Sequence, residues 1–172
     1  MVAVERNNPL RCHEQVYAVC TDMDNNLFYS GGDDGHLMII GANGPIGHID
    51  ETFGSIESIS MCPDSEIKLV ATGTIDGVLA LWDITKRKKR LAFCADPEHG
   101  ITKLFWLPGQ ILVASTLGGL IKAYDGRSGE EKFLLKGHRG QILDIDYNKE
   151  NNLILTVSKD KTARIYNIPT IC

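Results

Sequence analysis

The sequence predicts an all-β fold assembled from four small antiparallel sheets, and three observations carry that expectation. A cassette recurs four times at one spacing. Each copy holds two short strand-like runs around a turn signal. A further run with a once-interrupted alternation precedes each pair. The spacing is plainest from "TGTIDGVLALWD", residues 72 to 83. Forty-two positions upstream stands "SGGDDGHLMIIG", from Ser30 to Gly41. Forty-two downstream stands "ASTLGGLIKAYD", from Ala114 to Asp125, and 42 further "TVSKDKTARIYN", from Thr156 to Asn167.

Within each copy the first strand is the run whose rhythm breaks. Val16, Val19 and Thr21 match Ile56, Ile59 and Met61, then Ile101, Leu104 and Trp106, then Ile142, Ile145 and Tyr147. A β-bulge after the first residue of each set would bring all three side chains to one face. The second strand is a short apolar run: "LFYSG", "LVATG", "ILVAS" and "LILTV", starting at Leu27, Leu69, Ile111 and Leu153. Such runs suit strands buried on both faces. The third strand alternates, with Leu37 and Ile39 matched by Leu79 and Leu81, Ile121 and Ala123, and Ala163 and Ile165. Between second and third strands, Asp34-Gly35, Asp76-Gly77 and Gly118-Gly119 tolerate positive φ. Asp160-Lys161 departs from this pattern, because Lys meets a steric cost there that Gly avoids. A weaker outer strand follows in "KRLAFCA" and "EEKFLLKG". Four strands in each of four copies describe propeller blades, with repeats at about residues 11–50, 51–94, 95–133 and 134–172.

The 172-residue composition fits a packed domain: 43% of the residues are hydrophobic and 23% charged. A formal charge of −4 argues against nucleic acid as the main partner and suits basic proteins. Five cysteines (Cys12, Cys20, Cys62, Cys94 and Cys172) form no C-x-x-C pair, so neither a disulfide framework nor a zinc site is expected. "MVAVERNNPL" lacks an apolar run of signal-peptide length, and no stretch approaches the roughly 20 residues of a membrane span. A cytoplasmic location is expected, with the nucleus as an alternative, and no membrane partner.

"TGTIDGVLALWD", "KGHRGQILDIDY" and "LTVSKDKTARIYN" together resemble the WD-repeat family. The resemblance covers nearly the whole chain. It implies that each blade is tied by hydrogen bonds among a His ahead of the first strand, a Ser or Thr in the second, the turn Asp and an aromatic residue ending the third. Buried groups of this kind must be paired. The members present are His13, Ser30 and Asp34 in the first copy, with Ile40 in the aromatic position. The second has Thr72, Asp76 and Trp82, but "TFGSI" offers no His. Ala114 and Gly118 remove the network from the third, and His99 stands two residues too close to Ile101 to match His138. The fourth has His138, Thr156, Asp160 and Tyr166.

A longer match within the family runs from Ser55 to Asn167 and resembles a branch that includes a chaperone for a newly made large-subunit ribosomal protein. That resemblance implies a non-catalytic scaffold, with the basic tail of a client ribosomal protein lying across an acidic propeller face. Asp33 precedes the first turn Asp, and Glu57 and Asp144 sit in first strands. The counterparts of Asp33 are Ile75, Leu117 and Lys159, so the acidic character is partial.

A His, a hydroxyl and an Asp also raise the possibility of a hydrolase. These groups recur at blade spacing inside strands and turns, whereas a nucleophile needs exposure and an oxyanion site. Neither a P-loop nor a metal-ligand cluster is present. No catalytic residue, cofactor or metal site is assigned.

Two further motifs bear on partners. "KRKKR", Lys86 to Arg90, falls in the hairpin before an outer strand, where charge blocks edge pairing or addresses an acidic partner. Tyr124 to Arg127 resembles the end of a short box by which some WD-repeat proteins dock a ubiquitin-ligase adaptor, and a ligase substrate receptor is the alternative function. Tyr17, near the first loop, is expected to be a partly buried strand aromatic, with exposure for contact as the alternative. Family rings close with seven or eight blades, so four copies make about half of one. Missing N-terminal blades or a second chain are expected to close it, with "VAVE" (Val2 to Glu5) able to supply an outer strand only in a closed ring.

Overall fold

The computed structural model describes residues 12–49, 54–63 and 68–169, and among these there is no helix. The strands form four antiparallel meanders. The first sheet comprises β1 (Val16–Asp22), β2 (Leu27–Gly32), β3 (Leu37–Gly41) and β4 (Gly44–Ile49). The second comprises β5 (Ile56–Met61), β6 (Leu69–Thr74), β7 (Val78–Asp83) and β8 (Lys88–Cys94). The third comprises β9 (Ile101–Leu107), β10 (Ile111–Thr116), β11 (Ile121–Asp125) and β12 (Glu131–Leu135). The fourth has three strands among the described residues: β13 (Ile142–Asn148), β14 (Leu153–Ser158) and β15 (Ala163–Asn167). The Val2–Glu5 segment, Thr52 and Phe53, and Cys172 lie outside the described residues. The outer strand β4 lacked a sequence signal, since Gly44, Pro45 and Gly47 are poor strand formers.

The interrupted alternation is a bulge in all four sheets. Pairing slips between Val16 and Ala18, Ile56 and Ser58, and Ile142 and Asp144, and Thr116 pairs with Ile101 where Ser115 pairs with Lys103. One residue per blade is left unpaired: Tyr17, Glu57, Thr102 and Leu143. The bulge turns Ile56 and Ile101 onto the preceding sheet, where each fits against a glycine. A Cβ on Gly31 would meet Ile56 at 2.6 Å, and one on Gly73 would meet Ile101 at 2.5 Å.

The turns between second and third strands share one form. The N–H groups of Gly35, Gly77, Gly119 and Lys161 donate to the carbonyls of Gly32, Thr74, Thr116 and Ser158, three residues back, and all four donors have positive φ. Only the second residue of each predicted pair is left-handed, as in a three-residue hairpin closing on a bulge rather than a two-residue turn. Lys161 holds φ 70° in the place of a glycine.

Packing runs from each sheet to the next through three apolar clusters. Tyr29, Leu37 and Ile39 meet Ile59, Val70 and Trp82. On the other face of the second sheet, Ala71, Leu79 and Leu81 meet Leu104, Trp106 and Leu112. Val113, Ile121 and Ala123 meet Ile142 and Ile154, with Ile145, Tyr147 and Tyr166 at the margin. The first strands carry the contacts between successive sheets. The second and third sheets are therefore buried on both faces, as the sequence predicts. The terminal sheets are not. Val19 is 72% exposed where Ile59 and Leu104 are 7% and 8%, and Phe28 is 47% exposed where Val70 and Leu112 are 0% and 1%. In the fourth sheet, Ile165 is 68% exposed where Leu81 is 1%. The four sheets form an open fan with two bare apolar flanks.

Two substitutions test the turn geometry. Gly77→Ala is expected to destabilise by about 2 kcal/mol or more, since φ is +76° and the new Cβ would lie 1.8 Å from the Asp96 carbonyl oxygen. Lys161→Gly is expected to be neutral or stabilising by about 0.5–1 kcal/mol, because strain relief offsets the added chain entropy. Urea titration followed by circular dichroism measures both.

Candidate functional site

One edge of the fan gathers the residues that the sequence singled out ahead of the turns. Each turn is fastened to the residue preceding its blade's first strand or one close by. The N–H groups of Asp33, Ile75, Leu117 and Lys159 donate to the carbonyls of Gln15, Ser55, Gly100 and Gln141 at 3.2, 3.0, 2.8 and 2.9 Å. The same bond in every blade sets these four side chains at equivalent places along the edge. Asp33, Ile75 and Lys159 are exposed and Leu117 is half-buried. Asp33 also accepts the Gln15 N–H through Oδ1 at 3.0 Å. The half-buried Glu57, a bulge residue close to this edge, accepts from the Ser55 hydroxyl at 2.9 Å. Asp144 belongs elsewhere: it pairs with Val157, and its side chain lies on the bare outer face of the fourth sheet.

Behind the edge, the first and fourth blades carry matching locks. His13 Nδ1 bonds Asp34 at 2.8 Å and its Nε2 bonds the Ser30 hydroxyl at 3.0 Å. His138 Nδ1 bonds Asp160 at 2.9 Å and its Nε2 bonds the Thr156 hydroxyl at 2.7 Å. Asp160 also accepts from the Thr162 hydroxyl at 2.6 Å and from the Arg139 N–H at 3.0 Å. These donors, Thr162 first and Arg139 next, hold its carboxyl far below the ordinary aspartate value of 3.8. At Asp34, partial burial opposes the shift, but the His36 N–H and His13 still hold the carboxyl low. Tyr166 stands edge-on to His138, ring centroids 6.4 Å apart, with its hydroxyl buried beside Thr156.

The order Asp–His–hydroxyl has the connectivity of a hydrolase triad, but not its access. Ser30 and Thr156 are buried between strands, where no substrate reaches them. In the second blade only the inner half is present: Trp82 Nε1 donates to Thr72 Oγ1 at 2.9 Å, with both residues buried. Asp76 is exposed in its turn and presses its carboxylate toward Gly54, where a Cβ would lie 2.1 Å away.

The third blade replaces the lock with a cluster that sequence reasoning missed. The His99 ring covers Gly118, so that a Cβ there would sit 2.7 Å from its Nδ1. His99 leans on the buried Asp96 at 3.4 Å. Lys122 Nζ donates to the Ala95 carbonyl at 2.6 Å and lies 3.8 Å from Asp96. The displaced position of His99 was the available signal. Tyr17 follows the alternative reading. It is exposed, with its hydroxyl on Gln15 at 2.6 Å, because the bulge turns it out of the pleat. Lys86 and Arg87 occupy the predicted hairpin, whereas Lys88 to Arg90 already belong to β8.

The Tyr124 to Arg127 stretch is internally engaged. Tyr124 is buried with its hydroxyl 3.3 Å from the Ala95 carbonyl. Arg127 clamps Asp125 through Nε and Nη2 at 3.2 and 2.9 Å, holding that carboxyl down at about 2.

The family model for the WD domain, G-beta repeat, matches residues 5–40, 45–83 and 129–167. The long unmatched stretch, residues 84–128, holds β8 and the first three strands of the third blade. Angio-associated migratory cell protein from Canis lupus familiaris is 27% identical over 176 residues, covering 92% of this chain and 38% of the relative. The ribosome assembly protein SQT1 of Saccharomyces cerevisiae is 28% identical over 159 residues, covering 81% and 36%. The crystal structure of Saccharomyces cerevisiae Sqt1 superposes with a TM-score of 0.75 at 22% identity, over 90% of this chain and 46% of that one. The computationally designed Ika4 protein gives 0.78 at 20% identity, over 94% and 96%. The chain spans less than half the length of the natural relatives it matches. It belongs to the WD-repeat family.

Two outcomes follow from the locks. Asp160→Asn is expected to lower stability at neutral pH and to flatten its loss in acid. A depressed carboxyl stabilises the fold above its unfolded pKa and loses that contribution as pH falls below 3.8. Thermal unfolding from pH 6 down to about 2 reads this, with Asp34 and Asp125 among the carboxyls that still lose their contribution in acid. Gly118→Asp restores the family pattern yet is expected to cost about 1–3 kcal/mol through its clash with His99. Adding His99→Ala is expected to relieve most of that cost in a double-mutant cycle.

Proposed function

We propose that this WD-repeat chain is a non-catalytic binding platform whose turn edge holds a basic segment of another protein, in the manner of an assembly factor for a ribosomal protein. The observation that carries the reading is the fourfold backbone bond that places Asp33, Ile75, Leu117 and Lys159 at equivalent points of one edge. Rigid strands fix the positions, and variable side chains at those positions set the specificity. Asp33, Asp34, Glu57, Asp76 and Asp160 lie at or just behind this edge, so its charge is mainly negative. The fourth blade is the exception, with Lys159, Lys161 and Arg139 exposed around its turn. Similarity to a ribosome assembly protein supports a basic ribosomal client. The ligase-receptor alternative draws less support, since Tyr124 is buried and Arg127 is held by its own turn.

A fluorescent Arg/Lys-rich peptide from a large-subunit ribosomal protein tests the reading by anisotropy. Binding is expected to weaken with added salt, because exposed charges are screened beyond a Debye length of about 8 Å at physiological ionic strength. Asp33→Lys is expected to weaken it about fivefold or more and Lys159→Glu to tighten it by a similar factor. Affinity indifferent to salt and to both changes would overturn the proposal.

A further inference from the structure

The turn edge leaves the five consecutive cations from Lys86 to Arg90 without a role. We propose that they form a second docking surface, at the other end of the second sheet, and that its occupant is an acidic segment of a partner protein. All five residues are exposed. They are drawn from 18 Lys and Arg residues in a chain of formal charge −4, so basic charge is concentrated here against the balance of the whole.

Protection of a sheet edge does not account for them. The outer strand of each four-stranded sheet is already kinked at one equivalent place. Pairing slips between Ile39 and Ile40, Leu81 and Trp82, and Ala123 and Tyr124, leaving Ile46, Arg90 and Lys132 as the extra residues. A bulge of this kind blunts an edge by itself. Around it β4 carries no Lys or Arg, and in β12 Lys132 is paired with Glu130 at 3.0 Å. Only β8 opens on three cations in a row.

The fold makes these charges converge. Asp83, Lys86, Lys88, Lys89 and Arg90 line one shallow cleft of about 380 Å³. Lys88 stands opposite Asp83 and Lys89 opposite Trp82, and the slip sets Arg90 beside them. The one carboxylate lining the cleft is turned to its own hairpin. Asp83 is 7% exposed, accepts the Lys86 N–H through Oδ1 at 3.0 Å and lies 3.6 Å from the Lys86 Nζ. Arg87 points the other way, its Nη1 3.4 Å from the place a Cβ on Gly47 would take.

Three lysines act as point charges that need no fixed geometry in their ligand, which suits a run of carboxylates. A single nucleic-acid strand would want rings to stack on. Trp82 is fully buried and Phe93 packs into an apolar cluster, so β8 offers none. Pairing with β7 holds Lys88 and Lys89 in place, so the run is a folded surface rather than a free tail. The hairpin and the turn edge lie at opposite ends of β7, which leaves room for a basic client and an acidic partner together.

Anisotropy of a fluorescent Asp/Glu-rich peptide titrated with the full chain tests this. Binding is expected to weaken as salt is raised. Lys88→Glu combined with Arg90→Glu is expected to weaken it about tenfold or more while the β-sheet circular dichroism is kept. The same reversal at the exposed Lys136 and Lys149 is expected to change it less than about threefold. The proposal is overturned by no binding at low salt, by equal losses from the two pairs of reversals, or by tighter binding of a single-stranded RNA of matched charge.

Discussion

A four-stranded sheet that is apolar on both faces has to be covered twice, and this need organises the whole chain. Burial of one Val, Leu, Ile or Phe side chain contributes about 1.5–3 kcal/mol, and the central sheets bury many such residues on each side. The bulge in each first strand decides how the covering is done. It rotates Ile56, Ile101 and Ile142 onto the preceding sheet while the residues after the slip keep the pleat, so one strand grips its neighbour at two levels. Gly31 and Gly73 exist at the receiving end because a side chain there would collide with the isoleucine. Sequence spacing, bulge and glycine are one device seen at three levels.

The polar locks follow from this packing. The two blades with a full Asp–His–hydroxyl chain are the first and fourth, which are covered on one face only. The second blade, packed on both faces, keeps just Trp82 and Thr72, and the third has an unrelated cluster around Asp96. Where neighbours hold a sheet on two sides, the loss of a few hydrogen bonds of about 1 kcal/mol each is tolerable. In the first and fourth blades a His joined at both nitrogens ties the entry loop, the second strand and the turn together.

Much of this was legible from residues alone. The 42-residue spacing, the bulge and the turn positions lie in local pattern, and local pattern is what periodicity reports. The outer strand β4 was not legible, because its Gly and Pro content hides it and only pairing with β3 defines it. Burial of Leu155 and Val157 was inferred from the apolar run that β14 shares with the other second strands, yet both are exposed. Exposure depends on whether another sheet lies opposite, and nothing in the strand itself records that. His99 shows the same limit at the site. Its offset from the repeat was visible, but that its ring fills the space above Gly118 is a matter of three dimensions.

The binding edge inherits its asymmetry from the order of the blades. Along one fan the first turn residue runs Asp33, Ile75, Leu117, Lys159, from anionic through apolar to cationic. A basic ribbon lying along this arc is attracted at one end and repelled at the other, so a single fan orients its ligand as well as holding it.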